Sequence, residues 1–359
     1  MGLLPIWAGL WYFISGKGEN VACSSKLMEN VMLNRVKGCL IGLAAGDALG
    51  APVEFLSLEE IKEKYGKTGI GDYDVWDGYT PGSYTDDTQL SIATAKGCLS
   101  AQYNLLREGE ARSQECMYKS YLEWLDSLQD PFRVRHPGYT CMNVLQSGER
   151  GTIEAPVNDS TEASGLFRTA PVGLAFPPGM AFREGAEYAA LTHGHPSAYF
   201  SAGFLSDLIA QIIDGKSIQD AVELSIEQLI AFDNHEGLLG YLEVAMEMFI
   251  NHEPVEESIP KIGKGVAAGE VLGLGIFCSL KHAVEFSEGV RAAVNQPGAS
   301  TSSGLVTGAI LGASLGIEAI PENWISRVES SQAIFEIAED MFKVFKQGER
   351  ISFEKYSLD

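Results

Sequence analysis

Basic residues are scarce in this chain: 26 Lys and Arg stand against 48 Asp and Glu, a net charge of −22 over 359 residues. Binding to a phosphate backbone needs a basic face, so nucleic-acid recognition is excluded. That balance fits an acidic, soluble, cytoplasmic protein, or one that meets a basic partner. Paired cysteines are also missing. The six cysteines, Cys23, Cys39, Cys98, Cys116, Cys141 and Cys278, never fall at CxxC spacing. They read as reduced thiols, mostly in the core, and a zinc site built from them is not expected. Regular polar/apolar alternation over four or more residues is absent, so no strand is predicted.

Long apolar runs are few. Leu3 to Ile14 is apolar but contains Pro5 and Gly9, and it is too short to span a bilayer. No Lys or Arg precedes Lys17, as a secretion signal would want. Three readings stand for this stretch: an over-extended start with Met28 or Met32 as the true first residue, a partner-binding arm, or a weak secretion signal. Trp7, Trp11, Tyr12 and Phe13 would suit an arm, because aromatic anchors dominate interfaces. No other segment approaches membrane-spanning length, and no membrane association is expected.

What is present is helical periodicity. Leu33 to Leu49 is rich in Gly and Ala on an apolar background, with Gly38, Gly42 and Gly46 on one face. Small residues at that spacing let a helix pack very close to a neighbour, so a central buried helix is predicted. Further helical patterns cover 113–128, 182–191, 201–214, 219–232, 238–250, 270–286, 305–315 and 326–347. Gly- and Pro-containing loops separate them, notably 71–82, 130–138 and 148–165. The predicted fold is all-α, a single-domain helical bundle over 31–350, with an extension at 1–30 and a tail at 351–359.

One loop carries recognisable chemistry. Gly82-Ser-Tyr-Thr85-Asp86-Asp87-Thr88-Gln89 sets a hydroxyl and two adjacent carboxylates before an apolar helical run. Hard oxygen donors so close together suit Mg²⁺ or another oxygen-seeking cation, which relieves the repulsion between the two acids. The same residues would serve as an N-cap. Asp47 could be a cleft carboxylate or a buried, hydrogen-bonded structural acid.

Several motifs stand in a definite order: Gly46-Asp47-Ala48-Leu49-Gly50-Ala51-Pro52-Val53-Glu54-Phe55, then Tyr84 to Leu90, Pro137-Gly138-Tyr139-Thr140-Cys141, Phe167-Arg168-Thr169-Ala170-Pro171, Leu191-Thr192-His193-Gly194-His195-Pro196, and Ala293-Val294-Asn295 to Gly304. This order resembles the ADP-ribosylglycohydrolase family, over roughly Val31 to Trp324. The resemblance implies an orthogonal all-α fold with a cleft that holds Mg²⁺ or Mn²⁺. The ions hold ribose hydroxyls of ADP-ribose while its bond to an arginine or serine side chain is hydrolysed. It implies Thr85, Asp86, Asp87 and Ser302 as metal ligands, and Glu54 and Asp86 as catalytic residues. Ser160, Gly165, Arg168 and His193 would bind substrate, though Arg168 could equally pin its own loop.

The sequence also departs from that family. The second metal loop of the family typically reads Asn-His-Gly-Gly-Asp-Ser-Asp; here Ala299 and Thr301 stand in place of its aspartates, and only Ser302 keeps a ligand oxygen. Hydroxyls hold Mg²⁺ far more weakly than carboxylates, so one ion is expected rather than two. In the family's glycine-rich substrate loop, Glu162 replaces a glycine and brings negative charge toward a diphosphate. Two functions follow as expectations. One is metal-dependent hydrolysis of the N-glycosidic bond of ADP-ribosylated side chains, arginine foremost, in impaired form. The other is a catalytically inactive relative that binds ADP-ribose, or a protein such as an ADP-ribosylating toxin.

Overall fold

The computed structural model describes residues 18–358. Among these residues there are sixteen α-helices and no strand. They are α1 (Gly18–Gly50), α2 (Leu58–Tyr65), α3 (Asp86–Glu108), α4 (Ser113–Ser127), α5 (Tyr139–Ser147), α6 (Ala170–Ala175), α7 (Met180–Ala190) and α8 (Pro196–Ile213). There follow α9 (Ile218–Leu229), α10 (Glu236–Ile250), α11 (Val255–Ile262), α12 (Ala268–Lys281), α13 (Phe286–Val294), α14 (Ser300–Leu315), α15 (Glu322–Arg327) and α16 (Ser331–Met341). The aromatic stretch from Trp7 to Phe13 lies outside the described residues.

The centre of the fold is the antiparallel pair α1 and α14. A Cβ on Gly38, Gly42 or Gly46 would overlap the carbonyl oxygen of Gly312, Gly308 or Gly304, and the reverse holds for those three partners. Glycine in a helix costs about 0.5–1 kcal/mol relative to alanine. Here that loss is offset by dispersion contacts along two backbones in direct touch. The predicted glycine face is present, and its partner is a second glycine row that the pattern around 305–315 did not announce. Because the helices run antiparallel, the C-terminus of α1 meets the N-terminus of α14, and this end of the pair forms the floor of a cleft.

The segment 26–53 is long and apolar enough to cross a membrane by length and composition, contrary to the expectation that no such segment follows residue 14. Its most apolar window is 94% buried inside the protein, which is the place of a core helix. Helix α8 is also buried on nearly every face. Cys39, Cys98, Cys116, Cys141 and Cys278 are buried and unpaired, as predicted. The pattern over 326–347 does not form one helix. It breaks at Val328–Ser330, where Ser330 has a positive φ of 55°, and resumes as α16.

Candidate active-site cleft

A cleft of about 780 Å³ opens between the segment 51–56 that follows α1 and the N-terminal ends of α3, α5 and α14. Its wall includes Glu54, Thr85, Asp86, Asp87 and Ser302, five of the residues singled out in the sequence. Three helices point their N-termini toward this region, and each terminus is held by a carboxylate of the chain itself.

The first is α3. Thr85 is its N-cap, and the Thr85 hydroxyl accepts from the Asp87 N–H at 3.3 Å. Asp47, wholly buried on α1, receives four donors. They are the Thr85 N–H (3.1 Å), the Thr85 hydroxyl (2.8 Å), the Thr88 N–H (3.0 Å) and the Thr88 hydroxyl (2.6 Å). Burial raises the Asp47 pKa and these bonds offset part of the rise. Asp47 does not line the cleft, so of its two readings the structural one holds: it fastens α3 to α1 and aims the next two residues.

Those residues are Asp86 and Asp87. The Ser302 hydroxyl donates to Asp87 Oδ2 at 2.7 Å, joining α3 to α14. The Asp86 carboxylate accepts from the Gly138 N–H at 3.4 Å. Burial, then repulsion from neighbouring acids (Asp47 for Asp86; Asp86 and Asp47 for Asp87), holds both carboxyls well above the ordinary range. Arg135 fixes the facing loop. It donates to the Tyr84 carbonyl (2.7 Å) and grips Glu329 at 2.6 and 2.9 Å, and the Arg135 carbonyl accepts from the Asp86 N–H. No sequence signal marked Arg135.

The second terminus is that of α14. Glu54 accepts from the Thr301 N–H at 2.7 Å. Burial pushes the Glu54 pKa up to about 8, with the Thr301 bond acting against it. Ala299 and Thr301 both line the cleft, so a methyl group and a hydroxyl face the space where the family loop carries aspartates. Nearby, the Gln296 amide and the Ser303 hydroxyl are buried without partners. Among the described residues no three His, Cys, Asp or Glu side chains converge as a cation cage. The cleft nonetheless offers hard oxygen donors of the kind Mg²⁺ takes, the Asp86 and Asp87 carboxylates with the Thr85 and Ser302 hydroxyls, and no carboxylate at 299 or 301.

The third terminus is that of α5, where Glu162 Oε2 accepts from the Thr140 N–H at 3.1 Å.

The four residues expected to bind substrate are not on the cleft wall. Arg168 is fully buried. It donates to the Tyr188 carbonyl (3.1 Å) and the Thr192 hydroxyl (2.7 Å), and lies 4.1 Å from the centre of the Tyr121 ring. It pins its own loop, and it cannot reach a ligand without leaving those partners. His193 is also fully buried, between Thr192 Oγ1 (2.8 Å from Nδ1) and Ser164 Oγ (2.8 Å from Nε2). Burial and the Arg168 charge hold its pKa well below normal, so the ring is neutral. Gly165 sits against that ring, where a Cβ would come within 3.1 Å. Ser160 pairs with the Thr140 hydroxyl at 2.8 Å. Arg168, Gly165 and His193 stand behind Ser164, which lines the cleft, whereas Ser160 holds Thr140 and the Glu162 N–H. Thr192 Oγ1 accepts from Arg168 and also lies within donating distance of the Ala189 carbonyl, at 3.5 Å, and the neutral ring links this hydroxyl to that of Ser164.

The rim was less legible. Phe55, Asp77 and His136 line the cleft with positive φ values of 57°, 43° and 59°, strained backbone of the kind that collects at functional sites. His136 Nε2 meets Asp77 Oδ2 at 2.9 Å, and its ring stands edge-on to Trp76. Tyr139, in a loop the motifs did include, is exposed at the mouth.

A sequence profile of the ADP-ribosylglycohydrolase family matches residues 28–350. The ADP-ribosyl-[dinitrogen reductase] glycohydrolase of Rhodospirillum rubrum is 25% identical over 311 residues, covering 82% of this chain and 90% of that protein. The ADP-ribosylarginine hydrolase Tri1 of Serratia proteamaculans is 24% identical, covering 88% and 80%. A solved structure titled "ADP-ribosylglycohydrolase-related protein complex" superposes with a TM-score of 0.67 at 24% identity, over 88% of this chain and 99% of that one.

Proposed function

This chain belongs to the ADP-ribosylglycohydrolase family, and from that premise we propose that its cleft hydrolyses the N-glycosidic bond joining C1″ of ADP-ribose to a protein side chain, with arginine the first side chain to test. The observation that carries this reading is the meeting of Asp86 and Asp87 with Ser302 at the cleft floor, beside Glu54.

Thr85, Asp86, Asp87 and Ser302 would hold one Mg²⁺ or Mn²⁺. When bound, such an ion supplies positive charge that favours the ionised carboxyls around it and polarises an oxygen of the riboside or of water. The rest falls to the chain. Asp86 and Asp87 orient the ribose hydroxyls. Glu54, ionised in that setting, accepts a proton from the water whose oxygen attacks C1″. The C1″–N bond breaks, the leaving nitrogen keeps its electron pair, and it takes up the proton that Glu54 removed from the water. Without nearby positive charge Glu54 carries its proton up to about pH 8, so it is a poor base in the bare cleft. Ala299 and Thr301 favour a second reading, a cleft that binds the riboside without turning it over. ADP-ribose release from ADP-ribosylarginine, with Asp86→Ala as control, separates the two.

A further inference from the structure

We propose that Asp77, held in place by His136, is the specificity-determining residue for the leaving side chain: its carboxylate receives the guanidinium of an arginine-linked riboside. This rests on the reading of the cleft as a riboside site.

Asp77 and Gly78 form the tight turn that joins Trp76 to Tyr79. A turn of this kind needs two positive φ angles, and Asp-Gly supplies them at 43° and 83°. The turn places an exposed carboxylate on the wall of the cleft. His136 sets its direction. The residue before a proline is pushed toward extended backbone, yet His136, followed by Pro137, has a φ of 59°. Asp86 holds it there from both sides: the Arg135 carbonyl accepts from the Asp86 N–H, and the Gly138 N–H donates to the Asp86 carboxylate. The loop that grips Asp86 thus carries the imidazole to Asp77. A carboxylate can only accept, so His136 Nε2–H donates to Asp77 Oδ2, at 2.9 Å. Asp77 Oδ1 accepts no hydrogen bond among the described residues. The ring stands edge-on to Trp76, whose Nε1–H is pinned to the Ser83 carbonyl at 2.9 Å. A guanidinium is planar and always charged, and it seeks a carboxylate beside an aromatic face. Here it finds Asp77 Oδ1, with Trp76 on the same wall and Tyr139 exposed at the same mouth. Other carboxylates of the cleft are engaged: Glu54 by the Thr301 N–H, Asp87 by the Ser302 hydroxyl and Glu162 by the Thr140 N–H. Two nearby cations of the chain are also turned elsewhere, Lys64 to Asp74 and Arg135 to Glu329. A serine-linked riboside brings no charge to Asp77, so this residue separates the two linkages.

The test compares wild type, Asp77→Asn, His136→Gln and His136→Ala at one fixed Mg²⁺ concentration. Asn-Gly supports the same turn as Asp-Gly, so the first variant keeps the fold. ADP-ribose affinity is measured by calorimetry. KM is measured from initial rates for ADP-ribosylarginine and for an ADP-ribosylserine peptide, with a calorimetric Kd in its place where there is no turnover. Asp77→Asn should raise the value for ADP-ribosylarginine about fivefold, the size expected of an ion pair at an exposed site, with kcat unchanged. The values for ADP-ribose and for the serine peptide should not move, and the fivefold difference should shrink at high salt. His136→Gln keeps an N–H donor and should match the wild type, whereas His136→Ala should lose about threefold on ADP-ribosylarginine alone. An unchanged ADP-ribosylarginine value in Asp77→Asn, with ADP-ribose still bound, overturns the role of Asp77 and leaves the cleft reading intact. An equal rise for ADP-ribose or for the serine peptide also overturns it, since the guanidinium would then not be the cause. Equal values for His136→Ala and wild type overturn the part given to His136. No binding of ADP-ribose by any of the four proteins overturns the cleft reading and this inference with it.

Discussion

Replacing Glu54 with Gln should flatten the dependence of stability on pH. Burial raises the Glu54 pKa from 4.5 to about 8. A carboxyl whose folded pKa is raised binds its proton more tightly in the folded state. Its contribution to stability is complete below pH 4.5 and is lost as pH rises through about 8. Each pKa unit is worth about 1.4 kcal/mol, so the upper bound is roughly 4–5 kcal/mol. Glu54 faces an open cleft on one side, and water there screens the effect to about 2 kcal/mol. Glutamine keeps the acceptor for the Thr301 N–H but does not titrate. Thermal unfolding with EDTA, at intervals from pH 4.5 to 8.5, should show the wild type falling relative to Glu54→Gln by about 4 °C, at roughly 2 °C per kcal/mol for a chain of this size. Asp86 and Asp87 titrate in both proteins, but the Glu54 charge also raises their pKa values, so the difference between the curves reports Glu54 together with its repulsion of those two acids. Parallel curves would refute the reasoning, as would a wild type that gains on the variant with rising pH.

Other outcomes follow from the same geometry. Gly308→Ala, whose Cβ would overlap the Gly42 carbonyl, should cost about 2 kcal/mol by thermal unfolding. Gly240→Ala, in α10 with nothing within 4 Å of the new Cβ, should instead stabilise by about 0.5 kcal/mol. Arg168→Lys should lose about 2 kcal/mol, because an ammonium cannot satisfy Tyr188 and Thr192 together while lying flat on Tyr121. Ala299→Asp with Thr301→Asp should raise bound Mn²⁺, counted by metal analysis after dialysis, from one ion per chain to two.

Local periodicity made the helical class readable from the sequence; the cleft floor, which joins Asp87 to Ser302 across the chain, was readable through the resemblance of the motif order to a known family. Thr85 shows how two readings can hold at once: it caps α3 and lines the cleft. Gly38, Gly42 and Gly46 announced close packing, but not their partners, since the second glycine row is some 260 residues away and no local signal links the two. Motif position placed Arg168 and His193 near the ligand, yet could not tell a side chain that faces a cleft from one that supports it from behind. Only the folded course of the 163–169 and 191–196 segments decides that: Arg168 turns inward to Thr192, and His193 lies between Thr192 and Ser164. Arg135, Asp77 and His136 had no signal. Their roles come from two loops, 72–82 and 131–138, that meet only in the folded chain.

The central claim is that Asp86, Asp87, Ser302 and Glu54 still form a working hydrolytic cleft. The most direct measurement is ADP-ribose release from ADP-ribosylarginine by the full chain with Mg²⁺, beside EDTA and Asp86→Ala controls. Release that depends on the cation and falls by at least about a hundredfold in Asp86→Ala is the predicted result. No release by the wild type, in a preparation that still binds ADP-ribose, would contradict it.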